Sequence, residues 1–243
     1  MITSDFWRRQ VKNQPSHADF LPKMCQHVTP NLVWYKDGYI LFTIRMEGMP
    51  FDSADDGTLF SEFSNLANTF AGLGKTLGKR LAVWTHLVRQ KIDFDRNYRF
   101  QTAFCQQFAD KYLARFQKED YYENVFYLSV LIKNSDIDSA IKEAEELAEI
   151  LMNALTSYEP VLLTVYQNRN GIMFSEVYEF ISQLVNGCRE QVPLSNTDAF
   201  QVIGNSDIHF GTDIAEIRPK NGQGRKFSVH YDLKDFGISK AKI

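Results

Sequence analysis

The stretch NLVWYKDGYILFTIRMEGMPFDSADD, residues 31–56, decides the fold. Within it, Leu32–Tyr35 and Tyr39–Ile44 are rich in aromatic and branched residues, as strands are. An Asp-Gly pair between two such runs is a strong hairpin signal, because Gly38 takes a positive φ without a Cβ clash and Asp37 tolerates one. The sequence therefore predicts a β-hairpin closed at Asp37-Gly38.

A helix and a third strand are predicted directly after the hairpin. Pro50 ends the strand, and Asp52, Ser53, Asp55 and Asp56 offer side-chain caps and negative charge for a helix start. Apolar residues then recur at helical spacing, so one helix face is expected to lie on the sheet. They are Leu59, Phe60, Phe63, Leu66, Ala67 and Phe70. Ala82–Val88 follows as a strand.

Aromatic side chains repeat every four residues on a long helix predicted from Arg96 to Lys118. They are Phe100, Phe104, Phe108, Tyr112 and Phe116. Such a stripe usually packs in a core. A strict spacing of four drifts around a 3.6-residue helix, so part of the stripe could instead contact a partner. Phe108, Tyr112 and Phe116 are the candidate interaction residues of this helix.

Further along, the continuous apolar run Val125–Ile132 predicts a central strand. A helix with Ser135 and Asp138 as its capping pair follows, and Val161–Tyr166 is a strand after the helix-breaking Pro160. Ser175 is expected to start a last helix that ends at Gly187. Beyond Pro193 the chain predicts short strands punctuated by glycines, at residues 207–210, 214–217 and 227–233.

The predicted element order gives an α+β fold with a ferredoxin-like βαββαβ core and an antiparallel sheet. The long helix is an insertion in that core. The predicted organisation is an irregular tail over residues 1–30, the ferredoxin-like domain over 31–192, and a β-rich segment over 193–243. In the tail, Phe6, Trp7, Arg8 and Arg9 form an amphipathic cluster that is either loosely packed or a membrane-surface anchor.

The amino-acid composition and the net charge limit the kinds of molecule that the chain is expected to bind. The 243 residues are 44% hydrophobic and 23% charged, which is typical of a soluble globular protein. A formal charge of -3 and the absence of the base-stacking signature of RNA-recognition sheets predict no direct nucleic-acid binding. The cysteines, at positions 25, 105 and 188, are odd in number and widely spaced, which favours a reducing compartment. No apolar run approaches the length of a membrane span.

Two strings of residues invite a catalytic interpretation. Residues 72–76 read GLGKT, but a phosphate loop requires a glycine where Thr69 stands and a strand before it. We therefore interpret Gly72 and Gly74 as helix-terminating glycines, and no cofactor site is predicted in this chain. The spacing of the histidines and of the acidic residues after Pro50 also predicts no metal site.

Arg45, His86 and Arg89 form the second candidate, a polar cluster near the centre of the predicted sheet. Arg45 is predicted to lie on the strand next to that of His86 and Arg89. No nucleophile stands near them at a recognisable spacing, so a structural hydrogen-bonded histidine is the simpler interpretation. The alternative is a self-contained ferredoxin-like enzyme or binding domain for a small molecule that uses these three residues.

Three strings carry a family resemblance: YKDGYILFTIRMEGMPFDSADD from Tyr35, VWTHLVRQK from Val83 and YYENVFYLSVLIK from Tyr121. They resemble the N-terminal domain of the CagE/TrbE/VirB family, the ATPases of type IV secretion and conjugation systems. The segments SEVYEFISQLVNG, DIHFG, GRKF and LKDF extend the resemblance to the end of the chain. WTHLVRQ is its most specific part.

The resemblance implies a non-catalytic assembly domain. The nucleotide motifs of this family lie in a C-terminal RecA-like domain, so ATP and magnesium are expected only beyond Ile243. For the present residues the resemblance implies a cytoplasmic location peripheral to the inner membrane. It also implies docking on other secretion components and a contribution to self-association.

Overall fold

The computed structural model describes residues 17–49, 52, 54–91, 99–114, 121–187, 189–204, 206–210, 214–219 and 225–228. The helices are α1 (His17–Phe20), α2 (Asp56–Leu77), α3 (Ala103–Leu113), α4 (Ile137–Ala154), α5 (Glu176–Asn186) and α6 (Ala199–Ile203). The strands are β1 (Met24–Thr29), β2 (Leu32–Tyr35), β3 (Tyr39–Met46), β4 (Leu81–Lys91), β5 (Tyr122–Lys133), β6 (Pro160–Leu162), β7 (Val165–Gln167), β8 (Met173–Ser175), β9 (Ser206–Phe210), β10 (Ile214–Pro219) and β11 (Arg225–Ser228).

The chain forms two compact units. Unit 1 comprises residues 1–42, 132–144 and 163–243, and unit 2 comprises residues 43–131 and 145–162. Each unit is discontinuous in sequence, and these boundaries differ from those at residues 30 and 192 that the sequence suggested. The predicted α+β class is confirmed, because helices accompany an antiparallel sheet.

The main sheet has six strands in the order β1-β2-β3-β5-β4, with β6 also paired to β3. Strand β2 pairs with the first half of β3, where Val33 lies opposite Leu41. Strand β6 pairs with the second half, where Ile44 lies opposite Leu162. Two further sheets contain β9-β10-β11 and β7-β8. The main sheet thus has more strands than the predicted four-stranded core, and the complete ferredoxin-like topology stays a prediction.

The predicted hairpin between β2 and β3 is confirmed. The Gly38 N–H donates to the Tyr35 carbonyl at 3.0 Å, and Gly38 has a φ of 77°. The φ of Asp37 is not positive, so glycine alone carries the left-handed conformation. The Gly38 carbonyl in turn accepts from the Asn134 N–H at 3.0 Å, which ties the turn to the end of β5.

Capping side chains set the helix boundaries. Helix α2 starts at the predicted Asp55, whose carboxylate accepts from the Thr58 N–H at 2.9 Å. Helix α5 starts at Ser175 and ends at Gly187, as predicted. For α4 the predicted pair Ser135 and Asp138 is wrong. Asp136 caps this helix instead, because its carboxylate accepts from the Ser139 N–H at 2.9 Å.

Two other local expectations also fail. The helix-terminating role of Gly72 and Gly74 is wrong, since α2 continues through both to Leu77 and ends at Gly78 with a φ of 55°. The predicted strand Val161–Tyr166 is two strands. At the break, backbone groups form hydrogen bonds with side chains instead of with a neighbouring strand. The Asn31 side chain donates to the Leu163 carbonyl, and the Glu176 carboxylate accepts from the Thr164 N–H, both at 3.0 Å.

Residues 17–30 are ordered elements rather than an irregular tail. Strand β1 pairs with β2, and Met24 is only 1% exposed. A Cβ on Gly204, just after α6, would lie 2.6 Å from the Ala18 Cα in α1. Only glycine therefore permits this close approach of α6 to the N-terminal helix. The predicted cluster from Phe6 to Arg9 lies outside the described residues.

Candidate functional site

Exposed aromatic side chains are concentrated in unit 2. In the described part of the chain, every aromatic residue classed as exposed belongs to this unit. They are Phe60, Phe63, Trp84, Phe100, Phe104, Phe108, Tyr112, Tyr122 and Phe126. Large exposed apolar patches mark interaction sites in soluble proteins.

Helix α3 is shorter than the sequence predicted. It begins after Thr102, whose hydroxyl accepts from the Cys105 N–H at 3.3 Å, and its last residue is Leu113. Phe100 therefore precedes the helix instead of opening it, so the predicted start at Arg96 is wrong. Phe116 lies outside the described residues.

The aromatic stripe of α3 points to solvent. Phe104, Phe108 and Tyr112 are 78%, 66% and 52% exposed, and no residue of the helix is buried. The opposite side of the helix, with Ala109 and Leu113, is the half-buried one. Amphipathic surface helices normally turn their apolar face inward, so this helix presents its aromatic face to a partner or leaves it in water. We call Phe104, Phe108 and Tyr112 the α3 stripe.

Helix α2 contributes a second exposed aromatic pair. The sequence predicted that its whole apolar face lies on the sheet, but Phe60 and Phe63 are 73% and 70% exposed. Leu59, Leu66 and Phe70 are half-buried and line a cavity. The apolar arc of α2 is therefore wider than the part that faces the interior.

The cavity has a volume of about 870 Å³ and lies within unit 2. Its walls are mainly apolar and include Thr85 of β4, Leu128 of β5 and the two leucines of α2. The lining residues are Met46, Glu47, Gly48, Met49, Leu59, Leu66, Phe70, Thr85, Phe126, Leu128, Leu155, Tyr158 and Glu159.

Carboxylates surround this cavity. Glu47 and Glu159 line it and are exposed. Glu62 accepts from the Ser157 hydroxyl at 2.8 Å, and burial together with the Glu62 charge raises the pKa of the neighbouring Tyr158. Glu159 has a φ of 50°, the only positive value at a non-glycine residue in the described ranges. Backbone strain of this kind recurs at ligand sites.

The predicted polar cluster is not assembled as expected. Strand β5 lies between β3 and β4, so Arg45 is two strands away from His86 and Arg89. The Arg45 guanidinium lies 3.8 Å from the Glu47 carboxylate, and that of Arg89 lies 4.9 Å from the Tyr122 ring centre. Burial lowers the pKa of His86. The expectation is wrong because β3 and β4, although they are joined through α2 in sequence, are not neighbours in the sheet.

The GLGKT string has the wrong backbone for phosphate binding. Residues 72–76 lie inside α2, and the Thr76 hydroxyl donates to the Gly72 carbonyl at 3.0 Å. A phosphate loop needs free backbone N–H groups, whereas those of a helix interior are already bonded to carbonyls. Across the described ranges, no group of three or more His, Cys, Asp or Glu residues is arranged to hold a metal ion.

A family model matches residues 31–139, the region that contains the α3 stripe and most of the cavity wall. Its description is type IV secretion system ATPase VirB4/TrbE, N-terminal domain. Residues 31–139 are thus similar to the N-terminal domain of VirB4/TrbE ATPases. The resemblance found in the sequence is thereby confirmed.

Similarity to VirB4 proteins extends beyond that domain. The chain is 28% identical over 236 residues to type IV secretion system protein virB4 of Bartonella quintana, covering 88% of this chain and 30% of the relative. It is 23% identical over 257 residues to virB4 of Brucella abortus, covering 95% and 30%. It is 21% identical over 253 residues to type IV secretion system protein PtlC of Bordetella pertussis, covering 93% and 30%. The chain therefore spans about three tenths of the length of these curated relatives.

Within the described ranges, the exposed aromatic residues of unit 2 all fall among the residues that the VirB4/TrbE model matches. The sequence identified Phe108 and Tyr112 but assigned Phe60 and Phe63 to the sheet side of α2. It missed the cavity and its carboxylates altogether. The sequence held no signal that separates this pair from Leu59, Leu66 and Phe70, because all five lie within one apolar arc of ordinary width.

Proposed function

We propose that this chain is the assembly and docking part of a type IV secretion or conjugation ATPase. The α3 stripe carries the proposal, because three aromatic side chains face water on a helix whose other side is half-buried. Aromatic residues dominate the energetics of protein interfaces and are costly to leave hydrated. In this role the chain self-associates and positions the motor on other secretion components.

A second copy of the chain is the proposed occupant of the α3 stripe. The stripe is symmetric about Phe108, so two antiparallel α3 helices would place Phe104 of each copy opposite Tyr112 of the other. Such a contact uses the same surface twice, as two-fold interfaces do. The three side chains carry no charge, so their pairing creates no repulsion.

The proposed location is the cytoplasmic face of the inner membrane, with peripheral contact. No helix in the described ranges combines the length and apolarity needed to cross a membrane. ATP and magnesium would be bound elsewhere in a complete VirB4-type protein, in agreement with the helical conformation of residues 72–76. The small-molecule alternative loses support, because β5 separates Arg45 from His86 and Arg89.

The test is a functional assay with Phe108→Ser and Tyr112→Ser placed together in the parent protein of a secretion or DNA-transfer system. We expect transfer to fall strongly while the protein accumulates at normal levels. Gln107→Ser, also exposed on α3, is the control, since it introduces the same side chain and costs at least as much helix propensity without touching the stripe. Transfer at the wild-type level with the double variant would overturn the proposal.

A further inference from the structure

The cavity of unit 2 is large enough for a ligand of its own. At about 870 Å³ it lies within the range of pockets that enclose drug-sized ligands or several side chains. Met46 and Met49 are among the residues that line it, and methionine adapts its shape to different apolar partners. The walls therefore suit an apolar occupant rather than a rigid polar cofactor.

The charges around the cavity select the kind of occupant. Glu47 and Glu159 line it, and Glu62 acts on Tyr158 in its wall. Arg45, 3.8 Å from Glu47, offsets one of these charges, so the balance stays negative. Apolar walls beside uncompensated carboxylates are complementary to an apolar group flanked by cations.

We propose that this cavity binds an amphipathic, basic helical segment of a membrane-embedded partner, with apolar side chains in the cavity and lysines or arginines at the carboxylates. Segments that follow a membrane helix on its cytoplasmic side carry an excess of such cations. The apolar ridge of a helix is also a recurrent ligand of apolar grooves. This inference rests on the proposed function, because it names the partner through which the chain would dock at the membrane.

The carboxylates argue against a lipid as the occupant. Inner-leaflet headgroups are frequently anionic, and the carboxylates of Glu47 and Glu159, which line the cavity, repel them. A basic peptide gains attraction from the same groups. The charge that accompanies the apolar group therefore distinguishes the two candidate ligands: it is negative in an anionic lipid and positive in a basic peptide.

The experiment measures binding of a fluorescent helical peptide of leucine and lysine, about four turns long, to the complete 243-residue chain. We expect saturable binding, and binding at least about tenfold weaker for the matching leucine and glutamate peptide. Equal binding of the two peptides would overturn the proposal. So would binding of phosphatidylglycerol vesicles in preference to the basic peptide.

Paired variants locate the site. Glu47→Gln with Glu159→Asn should weaken binding of the basic peptide about tenfold. The matched control is Glu145→Gln with Glu149→Gln, which removes the same charge from exposed positions on α4 and should leave affinity unchanged. Leu66→Trp fills the cavity and should also weaken binding, whereas Ala67→Trp at the exposed neighbouring position should not. Equal losses in control and test pairs would overturn the proposal.

The outcome is separable from that of the proposed function. Phe108→Ser should retain peptide binding even where it abolishes self-association. Wild-type protein that self-associates but does not bind the basic peptide would overturn this inference alone. If Leu66→Trp fails to fold, the exposed pair Glu47 and Glu159 still decides the question.

Discussion

Replacement of Gly38 by valine tests the turn that organises the sheet. Gly38 has a φ of 77°, and a Cβ at this position would lie 3.1 Å from the Asn134 carbonyl oxygen. A non-glycine residue in a sparsely populated backbone conformation costs about 1 to 3 kcal/mol, and branching at Cβ places valine toward the upper end. The contact with Asn134 adds to this, because the same residue donates its N–H to Gly38 and cannot move away freely.

We expect Gly38→Val to lower the melting temperature by about 4 to 12 °C, from about 2 to 4 °C per kcal/mol for a chain of this size. Circular dichroism melts of the wild type, Gly38→Val, Gly38→Ala and Gly38→Asn give the comparison. Asparagine tolerates the left-handed conformation, so Gly38→Asn should lose less than Gly38→Ala although both carry the same Cβ.

Gly72→Ala is a control that should raise stability, whereas Gly38→Val should lower it. A Cβ at Gly72 meets nothing within 4 Å, and this position is inside helix α2. Alanine should therefore stabilise the chain by about 0.5 to 1 kcal/mol. An unchanged melting temperature for Gly38→Val, or equal losses for asparagine and alanine, would refute the argument from φ.

Three further predictions concern other parts of the chain. Burial lowers the pKa of His27, whose ring nitrogen lies 2.7 Å from the Ser175 hydroxyl. The unfolded chain therefore binds more protons, and stability should fall as the pH drops from about 6.5 through the pKa of the folded state. His27→Gln should flatten this part of a profile of melting temperature recorded from pH 7 to 5. Glu179→Leu should lower the free energy of unfolding, measured with urea, by about 2 kcal/mol, because the buried carboxylate accepts from the Tyr166 hydroxyl at 2.5 Å and from Arg189 at 3.2 Å. A loss of stability no greater than that of Tyr166→Phe would contradict the role of the arginine. The chain should not hydrolyse ATP, because residues 72–76 are helical; a phosphate-release rate abolished by Lys75→Ala would show otherwise.

Local signals predicted much of the fold because they act within a few residues. The Asp37-Gly38 turn, the Asp55 and Ser175 caps and the terminal Gly187 each depend on one side chain or one φ value. Such features require no knowledge of distant parts of the chain. They were accordingly recognised in the sequence and confirmed in the structure.

Features that depend on distant residues were missed. The break between β6 and β7 accompanies hydrogen bonds from Asn31 and to Glu176, which no periodicity reveals. Strand β1 is short and mixed in composition, and it is stabilised by pairing with β2. Helix α2 continues through Gly72 and Gly74 although glycine disfavours helix interiors, so these two glycines alone do not end the helix.

The candidate site also combines features that local sequence predicts with features that depend on the tertiary structure. A spacing of four predicted that Phe108 and Tyr112 share a helix face, but not which way that face points. Exposure of this face is a tertiary property, as is the separation of Arg45 from His86 by β5. The carboxylates at the cavity come from three separate segments, so no sequence window contains them together.

Sedimentation velocity of the 28.1 kDa chain over a range of concentrations tests self-association through the α3 stripe most directly. This role of the α3 stripe predicts that the weight-average mass of the wild type rises with concentration, and that Phe108→Ser stays monomeric with an unchanged circular dichroism spectrum. Gln107→Ser should associate like the wild type. A monomeric wild type, or a Phe108→Ser variant that associates equally well, would contradict it.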